Sequence, residues 1–325
     1  MKIESIAVGG LGISGSYLIK RLKDSGFWVT GFDPKVPDYY IPCGYATNIN
    51  KLKPYMKKIG IDADKYVLSE SSKITFSGYN FKPVEFGSLG MCTIDKNKLE
   101  KDMIEGMETS RGIVSGKHDL LVDATGVSRY YLGKPASDLL MPAREYLTDS
   151  ADHHDFYFHF FEGGKGYYWE FPLGDHFHIG SGAVDLDTLD SSLKPIPHLK
   201  VTGRKIRLKP LLDQIANGNI IGIGEAIGTV SPITGEGIIP SLRSAEILFQ
   251  CLRRNDDLEE VRIKYSGEIL KTFRPYLDLY RLLIKVQRGE NFHFQDLKAA
   301  LLARKDLRNF GIDFKITKVA RHFLG

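Results

Sequence analysis

The chemistry-bearing spacing in this chain begins at Gly10-Leu11-Gly12-Ile13-Ser14-Gly15. A GxGxxG run is the backbone's way of approaching a diphosphate. Gly10 allows a tight turn, Gly12 removes the side chain that would block the approach, and Gly15 lets the next helix pack closely on a sheet. A diphosphate there would face helix N-terminal amides, with Ser14 beside it, where free N–H groups and the helix dipole favour negative charge. Asp33 follows Gly15 by 18 positions. A carboxylate so placed bonds the ribose hydroxyls of an adenosine and repels the 2′-phosphate of NADP.

Two later segments carry the argument from a dinucleotide to FAD. His118-Asp119-Leu120-Leu121-Val122-Asp123 runs into Ala124-Thr125-Gly126, and Asn219-Ile220-Ile221-Gly222-Ile223-Gly224 delivers Glu225. The Glu225 carboxylate can bond a ribityl chain. After it, Thr234-Gly235-Glu236-Gly237-Ile238 leads into a helix whose N-terminal amides can stabilise negative charge on a reduced flavin ring. Ala124, Gly126, Glu225, Gly235, Gly237 and Ile238 therefore join the glycine loop as expected cofactor contacts, and FAD is the expected cofactor.

Positioning these residues takes a β-α-β start: an apolar strand over 5–8, an amphipathic helix closed by Gly26, and a strand over 27–32. Residues 65–87 and 156–208 alternate apolar and polar positions, as in Phe156-Tyr157-Phe158-His159-Phe160, which predicts half-buried strands of an antiparallel sheet. The chain after 257 reads as amphipathic helix, with Leu270, Phe273, Tyr276, Leu277, Tyr280 and Leu283 at helical spacing.

Taken together, these segments resemble the glutathione-reductase-like FAD flavoproteins of the para-hydroxybenzoate hydroxylase type, and within them the geranylgeranyl reductase family. That family's YxWxFP, seven residues, GxG pattern is present as Tyr167-Tyr168-Trp169-Glu170-Phe171-Pro172 followed by Gly180-Ser181-Gly182. Its Pro-Cys-Gly segment is present as Pro42-Cys43-Gly44. The resemblance implies substrate contacts at Tyr167, Trp169, Phe171, Pro172, Gly180 and Gly182, and places Cys43 and Gly44 beside the flavin, with Cys43 or an ordered water as the proton source. It also places Lys96 on the diphosphate, where the family has Arg; Lys keeps the charge but loses the bidentate fork. Glu225 stands where the family has Asp.

The implied fold is α/β: a three-layer, Rossmann-type FAD-binding domain, discontinuous over 1–55, 85–150 and 215–255, with an inserted antiparallel β-sheet substrate region over 56–84 and 151–214 and a C-terminal helical region over 256–325. The short interval between Lys96 and His118 predicts that the strands usually covering the adenine are trimmed. The implied activity is FAD-dependent reduction of isolated C=C bonds in a polyprenyl (geranylgeranyl) chain on a lipid or diphosphate. Alternatives are a flavin monooxygenase or halogenase, or a flavoprotein using FAD without redox chemistry. Ala124-Thr125-Gly126 stands where NADPH-using hydroxylases of this fold carry Asp-Gly, which points to another electron donor such as a ferredoxin.

Composition bounds the remaining partners. The net charge of +4 is mixed in sign and gives no reason to expect a nucleic acid. Three cysteines without CxxC spacing suit a reducing, cytoplasmic setting. The first ten residues run directly into a strand, so no signal peptide is expected. His153, His154, His159, His176 and His178 lack paired ligand spacing, so no metal is expected. The run Gly203-Arg204-Lys205-Ile206-Arg207 predicts a strand with a solvated basic face, open to peripheral contact with anionic head groups.

Overall fold

The computed structural model describes residues 2–35, 43–291, 293 and 296–314. The first strand, β1 (Ser5–Gly9), is followed by helix α1 (Ile13–Lys23) and β2 (Trp28–Asp33), as the apolar spacing requires. On α1 the buried stripe is Tyr17, Leu18, Ile19 and Leu22, and Lys20, Arg21 and Lys23 in the last turn suit the negative end of its dipole. β1 pairs in parallel with β2 and with β9 (Leu120–Asp123), and β9 pairs in parallel with β16 (Ile220–Gly222). Short β15 (Ala216–Asn217) and β8 (Thr109–Arg111) complete a six-stranded sheet in the order β15-β16-β9-β1-β2-β8. Only exposed β8 forms between α3 (Lys96–Ile104) and β9, so the interval is as spare as its length predicts.

Behind this sheet, α1 packs on α3 and on α5 (Ile238–Leu252). Glu246 of α5 ties the layer together, accepting from Tyr17 at 2.6 Å, Arg21 at 3.1 Å and Lys58 at 2.8 Å. Burial would raise that carboxyl, but these donors outweigh it and bring it down to about 2. A small sheet of β3 (Ala46–Asn48), β7 (Met91–Ile94) and β4 (Val67–Glu70) shares the core through Cys92 and Ile94. The long helix α6 (Leu258–Gln287) packs on α5, and its buried Tyr265 donates to Gly222 O at 2.8 Å.

The second large sheet has eight strands. Its order is β14 (Lys200–Arg207), β10 (Leu140–Thr148), β13 (Phe177–Ala183), β12 (Gly166–Pro172), β11 (Phe156–Phe160), β5 (Lys73–Gly78), β6 (Phe81–Ser88), β17 (Ile312–Asp313). All neighbours are antiparallel except β11 and β5.

Several expectations change here. β10, inside 85–150, hydrogen-bonds to β13 and β14, so it belongs to the antiparallel sheet rather than to the dinucleotide layer. β4 leaves the 56–84 insert for the small sheet, pairing with β7. The C-terminal region adds helix α7 (Leu297–Phe310) and also a strand, β17, at the sheet edge. Leu270 is 48% exposed, because the packed stripe of α6 takes Ile269 in its place beside the expected Phe273. The basic face of β14 is not wholly solvated: Arg207 is buried, bonding Asp138, Val127 O and Glu225 O.

Candidate active site

A cleft of about 650 Å³ lies where the carboxyl ends of β1, β2, β9 and β16 face the eight-stranded sheet. Ligands of open α/β sheets bind at such strand ends. The three fingerprint glycines differ in what a side chain would meet. At Gly10, φ is +92° and a Cβ would stand 2.5 Å from Ala124 O. At Gly15 it would stand 1.9 Å from Gly10 O. At Gly12 only Glu100 Oε1, 3.9 Å away, comes near. Gly10 and Gly15 are thus required by the fold, whereas Gly12 opens on the cleft. Gly12 is also the N-cap of α1 with no side chain capping it, and the helix has no acid in its first turn. This is the anion-receptive end a diphosphate needs.

Asp33 stands at the end of β2 and accepts from Leu11 N at 2.6 Å and from Lys35 N at 2.8 Å. It holds the glycine loop shut while lining the cleft. Ser14, Ala124 and Gly126 line the same wall. Lys96 reaches it too, but paired with Glu100 at 2.6 Å in a buried i,i+4 bridge, so its charge is already shared. Glu225 follows β16 in a 3-10 turn over Gly224–Ile227. Its carboxylate accepts from Arg207 N at 2.9 Å and ion-pairs with Arg204. Gly235, Gly237 and Ile238 form the cleft edge at the start of α5, where Glu236 accepts from Ile239 N at 2.9 Å. Burial pushes the Glu236 carboxyl up to about 8.

The opposite wall comes from the antiparallel sheet. Tyr167, Trp169 and Phe171 line the cleft together with Cys43 and Gly44; Pro42 lies outside the described residues. Pro172, Gly180 and Gly182, expected to touch substrate, do not line it. The register explains their spacing: Tyr167 pairs with Gly182 and Trp169 with Gly180. A Cβ at Gly180 would stand 2.3 Å from Trp169 Cζ2, and one at Gly182 would stand 2.9 Å from Met141 Cε. The glycines clear space for large neighbours. Pro172 is anchored through its carbonyl, which accepts from Thr93 Oγ1 at 2.5 Å.

Burial pushes the Cys43 thiol up. The Cys43 amide donates to Glu145 Oε1 at 3.1 Å. Glu145, on β10, is buried and lines the cleft. Neither Glu145 nor Arg204 stands out in the sequence as a site residue, because each is one residue of an ordinary alternating strand. A polar residue at an inward position was the only available signal.

Beyond Tyr167, Thr234 and Phe310, which line both spaces, the cleft adjoins an inner cavity of about 260 Å³. With Phe310, the rings of Phe76, Phe81, Phe86, Phe158, Phe160 and Phe314 supply most of its wall. The Tyr167 hydroxyl donates to Thr234 O at 2.6 Å, and Thr234 Oγ1 accepts from Glu236 N at 3.3 Å. The histidines serve other ends: His153 stacks on Tyr157 and pairs with Glu170, and His159 bonds Ser77. Among the described residues there is no group of three or more His, Cys, Asp or Glu arranged to hold a metal.

No protein-family model matches the chain. A geranylgeranyl bacteriochlorophyll reductase-like protein from Thermoplasma acidophilum has the same fold, with a TM-score of 0.72 at 16% identity over 94% of this chain and 99% of its own. A probable FAD-dependent monooxygenase from Pseudomonas aeruginosa shares it with a TM-score of 0.65 at 14% identity, covering 92% and 98%. In sequence, an uncharacterized protein of Methanocaldococcus jannaschii is 24% identical over 82% of this chain and 88% of its own length. A digeranylgeranylglycerophospholipid reductase of Methanococcus aeolicus is 26% identical over 124 residues, 32% of this chain and 31% of that protein. The Rossmann-type fold expected from the glycine fingerprint is therefore the observed one.

Proposed function

We propose that this chain is an FAD-dependent oxidoreductase that reduces isolated C=C bonds of a polyprenyl chain carried on a lipid or a diphosphate. The observation that carries the reading is the meeting of the dinucleotide cleft with an aromatic inner cavity at Tyr167, Thr234 and Phe310. FAD fits the first space: Gly12 is open, the α1 N-terminus is uncapped, and the carboxylates of Asp33 and Glu225 stand at strand ends. Bound there, FAD would supply the hydride chemistry. The partial sequence match to a digeranylgeranylglycerophospholipid reductase supports the substrate class.

The chain's own residues have three tasks. Tyr167, Trp169 and Phe171 hold an apolar chain against the cleft and exclude water, which an unactivated alkene needs if it is to meet a hydride donor at close range. The inner cavity receives the rest of the chain, and both of its hydroxyl groups are already hydrogen-bonded, so burying hydrocarbon there strands no polar partner. A proton must also reach the second alkene carbon. A monooxygenase acting on a polar aromatic acid would need free charged groups in this inner space, and among the described residues its wall has none.

A lipid-borne substrate would bring the protein to a membrane periphery; among the described residues no helix is long and apolar enough to cross a membrane. A ferredoxin-type donor fits Ala124-Thr125-Gly126 in place of the Asp-Gly of NADPH-using hydroxylases. The test is anaerobic: the protein is loaded with FAD, photoreduced and mixed with a geranylgeranyl lipid. Flavin reoxidation matched by a gain of two hydrogens per reduced bond in the lipid's mass supports the reading. Reoxidation by oxygen alone, with the lipid's mass unchanged, sinks it.

A further inference from the structure

Among the described residues, four carboxylates line the cleft: Asp33, Glu145, Glu225 and Glu236. Asp33 pairs with Lys35 and Glu225 with Arg204, while Glu236 caps α5. Glu145 is different. One oxygen accepts from the Cys43 amide; the other, Oε2, is buried and has no hydrogen-bond partner among the described residues. Its place in the sheet aims it at the aromatic wall. Trp169, Gly180, Glu145 and Thr202 stand in one row across β12, β13, β10 and β14. The indole leans into the space that Gly180 leaves, so no side chain from β13 separates Trp169 from Glu145. Trp169 Nε1 is likewise buried without a partner among the described residues. On the far side, His178 Nδ1 lies 3.7 Å from Glu145 Oε2, and its ring packs edge-on against Tyr45 with centroids 4.8 Å apart.

Resting on the reductase reading above, we propose that Glu145, rather than the Cys43 thiol, is the acid that gives the substrate its proton. The π bond of the alkene breaks; the anionic reduced flavin that the cleft would hold supplies a hydride to one carbon, and the other takes the Glu145 proton. Two new C–H bonds form, the flavin is oxidised by two electrons, and Glu145 is left as a carboxylate. The groups facing it are suited to both states. Burial favours the acid, while the Cys43 N–H, the nearby Arg204 charge and the neighbouring Thr202 hydroxyl favour the carboxylate. His178 is held neutral by its own burial, so it brings no permanent cation that would strip the proton from Glu145 at rest.

The balance of these effects pushes the Glu145 carboxyl up to about 8, with burial the largest cause. A general acid works best with a pKa near the operating pH, and a carboxyl kept neutral in an apolar wall is an established way to obtain one. The Cys43 thiol moves the other way in usefulness, since burial makes it a weaker acid.

The experiment has two arms. In the first, infrared difference spectra of wild type against Glu145→Gln are followed from about pH 5 to about pH 10 without substrate. A buried protonated-carboxyl band, present at neutral pH and lost near pH 8, is expected. Glu145→Asp, which keeps a carboxyl, serves if the Gln variant fails to fold. In the second arm, single turnover of a geranylgeranyl lipid by the photoreduced holoenzyme should slow by about 100-fold in Glu145→Gln. FAD affinity should stay as in wild type, and Cys43→Ser should keep the wild-type pH profile. Absence of the carboxyl band at neutral pH, or a Glu145→Gln rate equal to wild type, overturns the proposal. If wild type reduces no prenyl lipid, the reductase reading falls, while the infrared titration still decides whether Glu145 carries the cleft's proton.

Discussion

The two walls of the cleft handle their acids in opposite ways. On the parallel-sheet wall, Asp33 and Glu225 stand at strand ends with Lys35 and Arg204 beside them. On the facing antiparallel wall Glu145, and at the entry to α5 Glu236, are buried with no cation bonded to them among the described residues, and burial pushes both up to about 8. The difference follows from what surrounds each group. Strand ends of an open sheet leave room for a counter-charge and for hydroxyl groups of a ligand. The antiparallel wall is aromatic, and an ionised carboxylate there would be desolvated without compensation. One wall is therefore arranged to bind polar groups and the other to hold protons against an apolar surface.

The largest effect expected from disturbing this contrast is at Gly12. Gly12→Leu should leave the apoprotein folded, because its Cβ meets open space, yet lower FAD affinity on the order of a thousandfold. Gly10→Ala should instead destabilise the fold, since φ is +92° and Ala124 O is 2.5 Å from the added carbon. Thermal denaturation together with FAD titration separates the two; loss of fold in Gly12→Leu would remove the distinction drawn between these glycines.

On the aromatic wall, Trp169→Ala should cost about 3 kcal/mol of stability, the scale of a buried ring deleted to a cavity. FAD should remain bound, and turnover of a prenyl substrate should fall. Denaturant unfolding and flavin absorbance measure both. Complete loss of flavin would place Trp169 in the cofactor's support rather than in the substrate wall.

The acids give the comparison a pH signature. A carboxyl whose folded pKa lies above its unfolded value stabilises the protein least once both states are ionised. For Glu145 and Glu236, the unfolded chain loses its proton near 4.5 while the folded one holds it to about 8. Stability should fall as pH rises through that window and then level off. Glu145→Gln should flatten the slope by one proton. A wild-type stability that rises between about pH 5 and about pH 8 would contradict the assignment.

The smallest effect is expected at Glu225. Glu225→Asp shortens the reach to Arg204 and to Arg207 N, so FAD affinity should change by about 1 kcal/mol, the scale of one hydrogen bond. Glu225→Ala should cost more, because it leaves Arg204 without its carboxylate. Calorimetric titration of the apoprotein measures both, and equal affinity in all three proteins would take Glu225 out of cofactor binding.

The sequence by itself determined what lies close along the chain. Gly10, Gly12 and Gly15 declare a turn, an opening and a close approach within six positions, and Asp33 closes the strand that follows. The YxWxFP and GxG pattern is local as well: its seven-residue gap is the length that returns β13 so that Trp169 meets Gly180. Tertiary structure decided what is distant. The Cys43 amide and the Glu145 carboxylate are 102 positions apart and meet only because β10 joins the antiparallel sheet, whereas the sequence reading places residues 85–150 in the dinucleotide layer. The inner cavity likewise draws on β5, β6, β11 and α7. Strand periodicity fixes which face a side chain takes but not which strand becomes its neighbour. The cleft's half-partnered Glu145 and the apolar space beyond it could therefore emerge only from long-range pairing.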